Sequence, residues 1–158
     1  MNILYWISAV SDKVFRFLTT LFFVVMFLVY FGQVVLRYFF RTGLPWAEEL
    51  VRYLMISMTY IGATILTKEG SQICMTLIED VFPKTKRLLH FIQYIFTTIF
   101  YLIVTWLAIL AMRVAQTQKS PAMGLPMSVI YSVIPLSAIF MIIHLMVKIH
   151  EIIKGGEK

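Results

Sequence analysis

Three stretches of this chain run for twenty residues or more without an aspartate, glutamate, lysine or arginine: residues 17–36, 88–112 and 120–147. As a helix, at about 1.5 Å of rise per residue, each is long enough to cross a hydrocarbon core of about 30 Å. With 158 residues, 60% of them hydrophobic and 14% charged, and a mean hydropathy of +0.85, the chain lacks the polar surface to bury all three in water. A fourth uncharged stretch, residues 53–67, is shorter and would reach only about 22 Å. To span, it must draw in the preceding turns, which carry Glu48, Glu49 and Arg52. The expectation is an all-α membrane protein with four transmembrane helices, at about residues 12–38, 45–67, 85–112 and 126–150. They form a single bundle domain over residues 1–158.

Charge placement predicts the topology. Nine Lys and Arg residues fall at the N-terminus (Lys13, Arg16), the middle connection (Lys68, Lys84, Lys86, Arg87) and the C-terminus (Lys148, Lys154, Lys158). Five fall around the other two connections: Arg37, Arg41 and Arg52 at one, Arg113 and Lys119 at the other. The positive-inside rule then places both termini and the middle connection in the cytoplasm, with Arg37, Arg41 and Lys119 at periplasmic loops. This segregation also argues against nucleic acid as the partner of the net charge of +6. The first apolar run outlasts the roughly 7–15 residues of a signal-peptide core and is read as a span.

Between helices two and three, Ile73, Cys74, Leu77, Ile78, Val81 and Phe82 recur at helical spacing opposite Ser71, Gln72, Thr76, Glu79 and Asp80. A short amphipathic interfacial helix is expected over about residues 71–82. Pro83 ends it, and Lys84, Lys86 and Arg87 are expected to anchor the cytoplasmic interface against lipid headgroups. Pro135 should kink helix four. The single cysteine, Cys74, excludes an internal disulfide and a cysteine metal cluster.

No ionisable side chain falls at mid-depth of a span, where transport routes usually announce themselves. Bulky packing residues dominate instead: thirteen Phe, eight Tyr and ten Met. On helix two, Thr59, Gly62 and Ala63 make a small-residue stripe that another backbone could approach closely. At its start, Glu48 and Glu49 lie one helical turn from Arg52, Trp46 suits the membrane interface, and both glutamates complement the helix dipole. This group reads as a cap that sets depth, or as a polar anchor for a partner protein.

These residues also carry a family resemblance. The pattern Trp-x-Glu-Glu-apolar-x-Arg in "LPWAEELVRYLM", the glycine of "YIGA" and the continuation "TKEGSQICMTLIEDVFP" resemble the small DctQ-like membrane subunit of tripartite ATP-independent periplasmic (TRAP) transporters. The likeness is specific between Leu44 and Pro83, and the four-helix layout extends it over the chain. Where that family often has histidine before isoleucine or valine, this chain has Gln72 before Ile73, so no role of that histidine is carried over. The resemblance implies a non-catalytic stator without cofactor or metal, in the bacterial inner membrane. It would assemble with a large membrane subunit that binds substrate and sodium, and would dock a periplasmic substrate-binding protein delivering an organic acid, with sialic acid favoured. Trp46, Glu48, Glu49, Arg52 and Gly62 would then contact the large subunit or the periplasmic partner. A competing reading is a haem- or quinone-binding anchor of a respiratory enzyme, because His90 and His144 sit at similar depth and two axial histidines can hold a haem.

Overall fold

The computed structural model describes residues 2–70 and 86–153. Helix α1 spans Asn2–Phe40, α2 Pro45–Glu69 and α3 Lys86–Val114; a 3-10 turn, Ala115–Thr117, follows. The last span is made of two pieces, α4 (Met127–Tyr131) and α5 (Val133–Ile153). Among the described residues, four helical stretches are long and apolar enough to cross a membrane: Leu4–Phe40, Pro45–Glu69, His90–Thr117 and Met127–Ile152. The interfacial helix expected over 71–82, along with Cys74 and Lys84, lies outside the described residues; Lys86 and Arg87 open α3.

Helix α1 is 39 residues long, about 58 Å, and begins well ahead of the start expected near Asp12. The charges at Asp12 and Arg16 do not end it because they find partners across the bundle. Arg16 Nε lies 3.2 Å from Asp12 Oδ2 one turn away, and Arg16 Nη2 lies 2.6 Å from Glu69 Oε1 on α2. Lys68 Nζ is 3.0 Å from the same Asp12 oxygen.

Pro45 starts α2, where its missing N–H would have no partner anyway. Gly70 ends α2 in a left-handed conformation (φ 75°), its N–H bonded to the Thr67 carbonyl. A Cβ at Gly70 would also collide with the Lys148 ammonium, so glycine answers two demands there. In the last span, Pro135 has no N–H to give the Tyr131 carbonyl, and the helix breaks at Ser132. The Ser132 hydroxyl turns back to the Val129 carbonyl at 2.6 Å.

The last span is the hub. Helix α5 packs against α1, α2 and α3, burying Ala138, Met141, His144, Leu145 and Val147. Phe15 meets Phe140 edge-on, with centroids 4.9 Å apart. In contrast, α1 and α3 turn most of their apolar surface outward: Phe17 and Trp106 are each 68% exposed. In a membrane, lipid or another protein's helices would cover such surface.

Candidate functional site

Polar chemistry among the described residues gathers at the two ends of the bundle, here named the Glu49 end and the Asp12 end. At the Glu49 end, the first turns of α2 meet the end of α1 and the loop that follows α3.

Glu48 and Glu49 are consecutive, so about 100° of helix separates their side chains, and they face different neighbours. Glu48 faces α1. Its Oε1 accepts from Gln33 Nε2 at 2.9 Å and from Arg37 Nη2 at 3.0 Å. Both charged side chains of that pair are more than half exposed, at 61% and 53%. An open hollow of about 320 Å³ adjoins the bridge, lined by Tyr30, Gln33, Arg37, Tyr38 and Glu48 among others.

Glu49 is buried and faces the loop. One carboxylate oxygen accepts from Ser120 Oγ at 2.9 Å and from the Met123 N–H at 3.0 Å; the other accepts from the Ala122 N–H at 3.1 Å. The loop is shaped to deliver these donors. Ser120 and Leu125 close it through a 2.8 Å backbone bond, Gly124 adopts φ 67° and donates to the Ser120 carbonyl, and Lys119 pairs with Pro126. Two successive N–H groups thus converge on one anion, as in a backbone nest.

Within the expected group of Glu48, Glu49 and Arg52, the two glutamates therefore bond to separate partners. Arg52, which helical spacing places between the two glutamates around α2, is exposed. Helical spacing brought these residues within reach of one another, but charge-assisted bonds to α1 and the loop hold the glutamates elsewhere. Trp46 is 43% exposed at the start of α2. Arg41 takes φ 53° in the α1–α2 connection, and Lys119 stands exposed on the loop. Gly62 has no atom of the described residues within 4 Å of where a Cβ would be. With Arg52, Met55, Thr59 and Leu66 exposed at three- and four-residue spacing, Gly62 completes an uncovered face of α2.

Sequence reasoning did not find Ser120, Ala122 and Met123 as partners of Glu49. Two of them contribute backbone N–H groups, which leave no mark in the residue type. The left-handed turn at Gly124 was the one available signal.

Hydroxyls inside the spans are mostly returned to their own helices. Thr59, Thr64, Thr97 and Thr105 each donate to the carbonyl four residues back, at 2.7–3.1 Å. Thr19 is an exception, its Oγ1 buried without a partner among the described residues, and Ser8 is another, its Oγ reaching across to α5. Among the described residues no group of three or more His, Cys, Asp or Glu is placed to hold a metal ion. The two candidate haem ligands are engaged separately: His144 Nδ1 lies 2.8 Å from Ser8 Oγ on α1, while the His90 ring packs beside Tyr94.

Four apolar spans with charged groups confined to the ends, among the described residues, can be set beside known proteins. Residues 9–155 match the family described as "Tripartite ATP-independent periplasmic transporters, DctQ component". The chain belongs to the DctQ family. A Haemophilus influenzae protein named as a TRAP transporter small permease protein is 27% identical over 146 residues, covering 90% of this chain and 88% of that one. A second H. influenzae protein of that name is 31% identical over 111 residues, or 67% of this chain and 66% of the relative. The isethionate TRAP transporter permease protein DctMQ of Oleidesulfovibrio alaskensis is 28% identical over 92% of this chain, a match that fills only 24% of that longer protein. This DctQ-family chain is thus a multi-pass TRAP transporter small permease, a transporter component and not an enzyme. The family assignment replaces the respiratory-anchor alternative.

Proposed function

We propose that this small permease is the stationary scaffold of a sodium-coupled TRAP transporter that imports an organic acid. It stands beside a large membrane subunit, and its Glu49 end is presented to a periplasmic substrate-binding protein. The reading is supported by the condition of the polar groups. Among the described residues, Asp12, Glu48, Glu49 and Glu69 are spent on internal clamps at the two ends, and the span hydroxyls are largely spent on their own backbones, so that no chain of ionisable groups crosses the bundle. Meanwhile the uncovered face of α2, from Arg52 to Leu66 through Gly62, is shaped for close approach by another helix. The DctMQ relative adds weight, since its name and length accord with small and large subunits joined in one chain. Sialic acid is the first substrate to test, with isethionate, named for that relative, as the comparison.

Reconstitution tests this. Liposomes holding the chain alone should take up neither acid. Liposomes holding it with its large subunit, the binding protein and an inward sodium gradient should take up one. Uptake by the chain alone overturns the scaffold reading. The proposed orientation, both termini in the cytoplasm of an inner-membrane protein, is tested by labelling cysteines placed at residues 41 and 119 from outside the cell.

A further inference from the structure

Between α1, α2 and α5 at the Asp12 end lies a cavity of about 210 Å³, away from the Glu49 end and independent of the reading above. Its wall includes Tyr5 and Ser8 from α1, Lys68 from α2, and His144, Lys148 and Glu151 from α5. We propose that this cavity holds the headgroup of a phospholipid carrying both a phosphate and a primary ammonium.

His144 is the first reason. The imidazole is 1% exposed and lines the cavity, yet its Nε2 is buried with no hydrogen-bond partner among the described residues. Its Nδ1 lies 2.8 Å from the Ser8 hydroxyl. A phosphate suits the tautomer in which Ser8 donates to Nδ1: the neutral ring then carries its proton on Nε2, a buried N–H in want of an acceptor. Such a group is costly unless something supplies the oxygen.

Charge is the second. Lys68 and Lys148 bring two ammonium groups to the wall, and a phosphate is the acceptor that suits both lysines and the imidazole. Each lysine is held in place: Lys68 by Asp12 at 3.0 Å, Lys148 over the Tyr94 ring at 5.8 Å from its centroid. Glu151 decides the rest. A carboxylate in the same wall repels a purely anionic headgroup but accepts hydrogen bonds from an ammonium. A choline headgroup has no N–H to donate, and a glycerol headgroup has no positive charge. Basic pockets between transmembrane helices recur as sites for lipid headgroups.

Native mass spectrometry of the 158-residue chain in detergent tests the proposal, with phosphatidylethanolamine, phosphatidylcholine and phosphatidylglycerol of identical acyl chains offered in turn. Phosphatidylethanolamine should be retained roughly tenfold better than either of the others, the worth of one charge-assisted pairing. Glu151→Gln should erase its advantage over phosphatidylglycerol, and Lys148→Gln should weaken retention of all three. Equal retention of the three lipids by the unaltered protein overturns the proposal, as does a preference that survives Glu151→Gln. Millimolar inorganic phosphate should leave the bound lipid in place; displacement would assign the cavity to a soluble anion. Should Lys148→Gln fail to fold, the lipid ranking and Glu151→Gln still decide.

Discussion

Glu48 and Glu49 are adjacent on α2, yet one carboxylate is held by Arg37 and Gln33 of α1 and the other by the loop at residues 120–123. A single helical turn thus ties together three parts of the Glu49 end. The two ties differ in kind: the first is an exposed ion pair, the second a buried anion surrounded by donors.

Removing the buried anion should release the loop without unfolding the bundle. In Glu49→Ala, the amides of Ala122 and Met123 lose their acceptor and should exchange with solvent at least roughly tenfold faster, as expected when a local structure opens more easily. Glu49→Gln keeps one accepting oxygen and should fall between. Amide exchange followed by mass spectrometry reads both, and unchanged rates in Glu49→Ala would show that the loop holds its shape unaided.

The clamps at the two ends should differ in strength. Arg37 and Glu48 are largely exposed, so a double-mutant cycle should find them coupled by no more than about 1 kcal/mol. Asp12 is 12% exposed and takes both Lys68 and Arg16 on one oxygen. Its loss leaves Lys68 without its carboxylate and Arg16 with Glu69 alone, and Asp12→Asn should cost about 1–2 kcal/mol even with solvent nearby. Thermal unfolding in detergent compares the two, and a Glu48→Gln more damaging than Asp12→Asn would reverse the order.

Gly62 separates folding from assembly. None of the described residues stands where its Cβ would go, and glycine is a poor helix former, so Gly62→Leu should leave the isolated chain equally stable or raise it by up to about 1 kcal/mol. The added side chain should nevertheless keep another helix away. Co-purification with the large subunit should therefore drop several-fold, while melting of the chain alone does not fall. Normal recovery of the complex would place the subunit contact on another face.

Gly70→Ala should destabilise by about 1–2 kcal/mol, because alanine tolerates the left-handed conformation poorly and its methyl would displace Lys148. Denaturant unfolding of the variant checks this. If the phospholipid cavity is occupied as proposed, the same variant should retain less lipid, since Lys148 lines that cavity too.

The four spans were legible because charge is excluded from the hydrocarbon, so uncharged runs mark where helices cross. Helix two was legible only through its continuation: Glu48, Glu49 and Arg52 had to belong to a helix that the uncharged stretch alone could not complete. What stayed hidden was pairing. Spacing along α2 places two glutamates beside an arginine, but the neighbour each faces depends on how α1 and the 120–126 loop dock. The early start of α1 was hidden for the same reason. Asp12 looked like a boundary until Lys68 and Arg16 met it, and Ser8 gave no sign of reaching a histidine more than a hundred residues away.

Helix α1 is roughly twice as long as a bilayer's oily layer is thick. A rod of that length must lean, or stand with its first turns among the headgroups, and ion pairs fasten it to α2 near both ends of the crossing. Thinning or thickening the bilayer should therefore swing α1 and α2 together as one strut. The cell's choice of acyl chain would in this way set the pitch at which the subunit meets its neighbours.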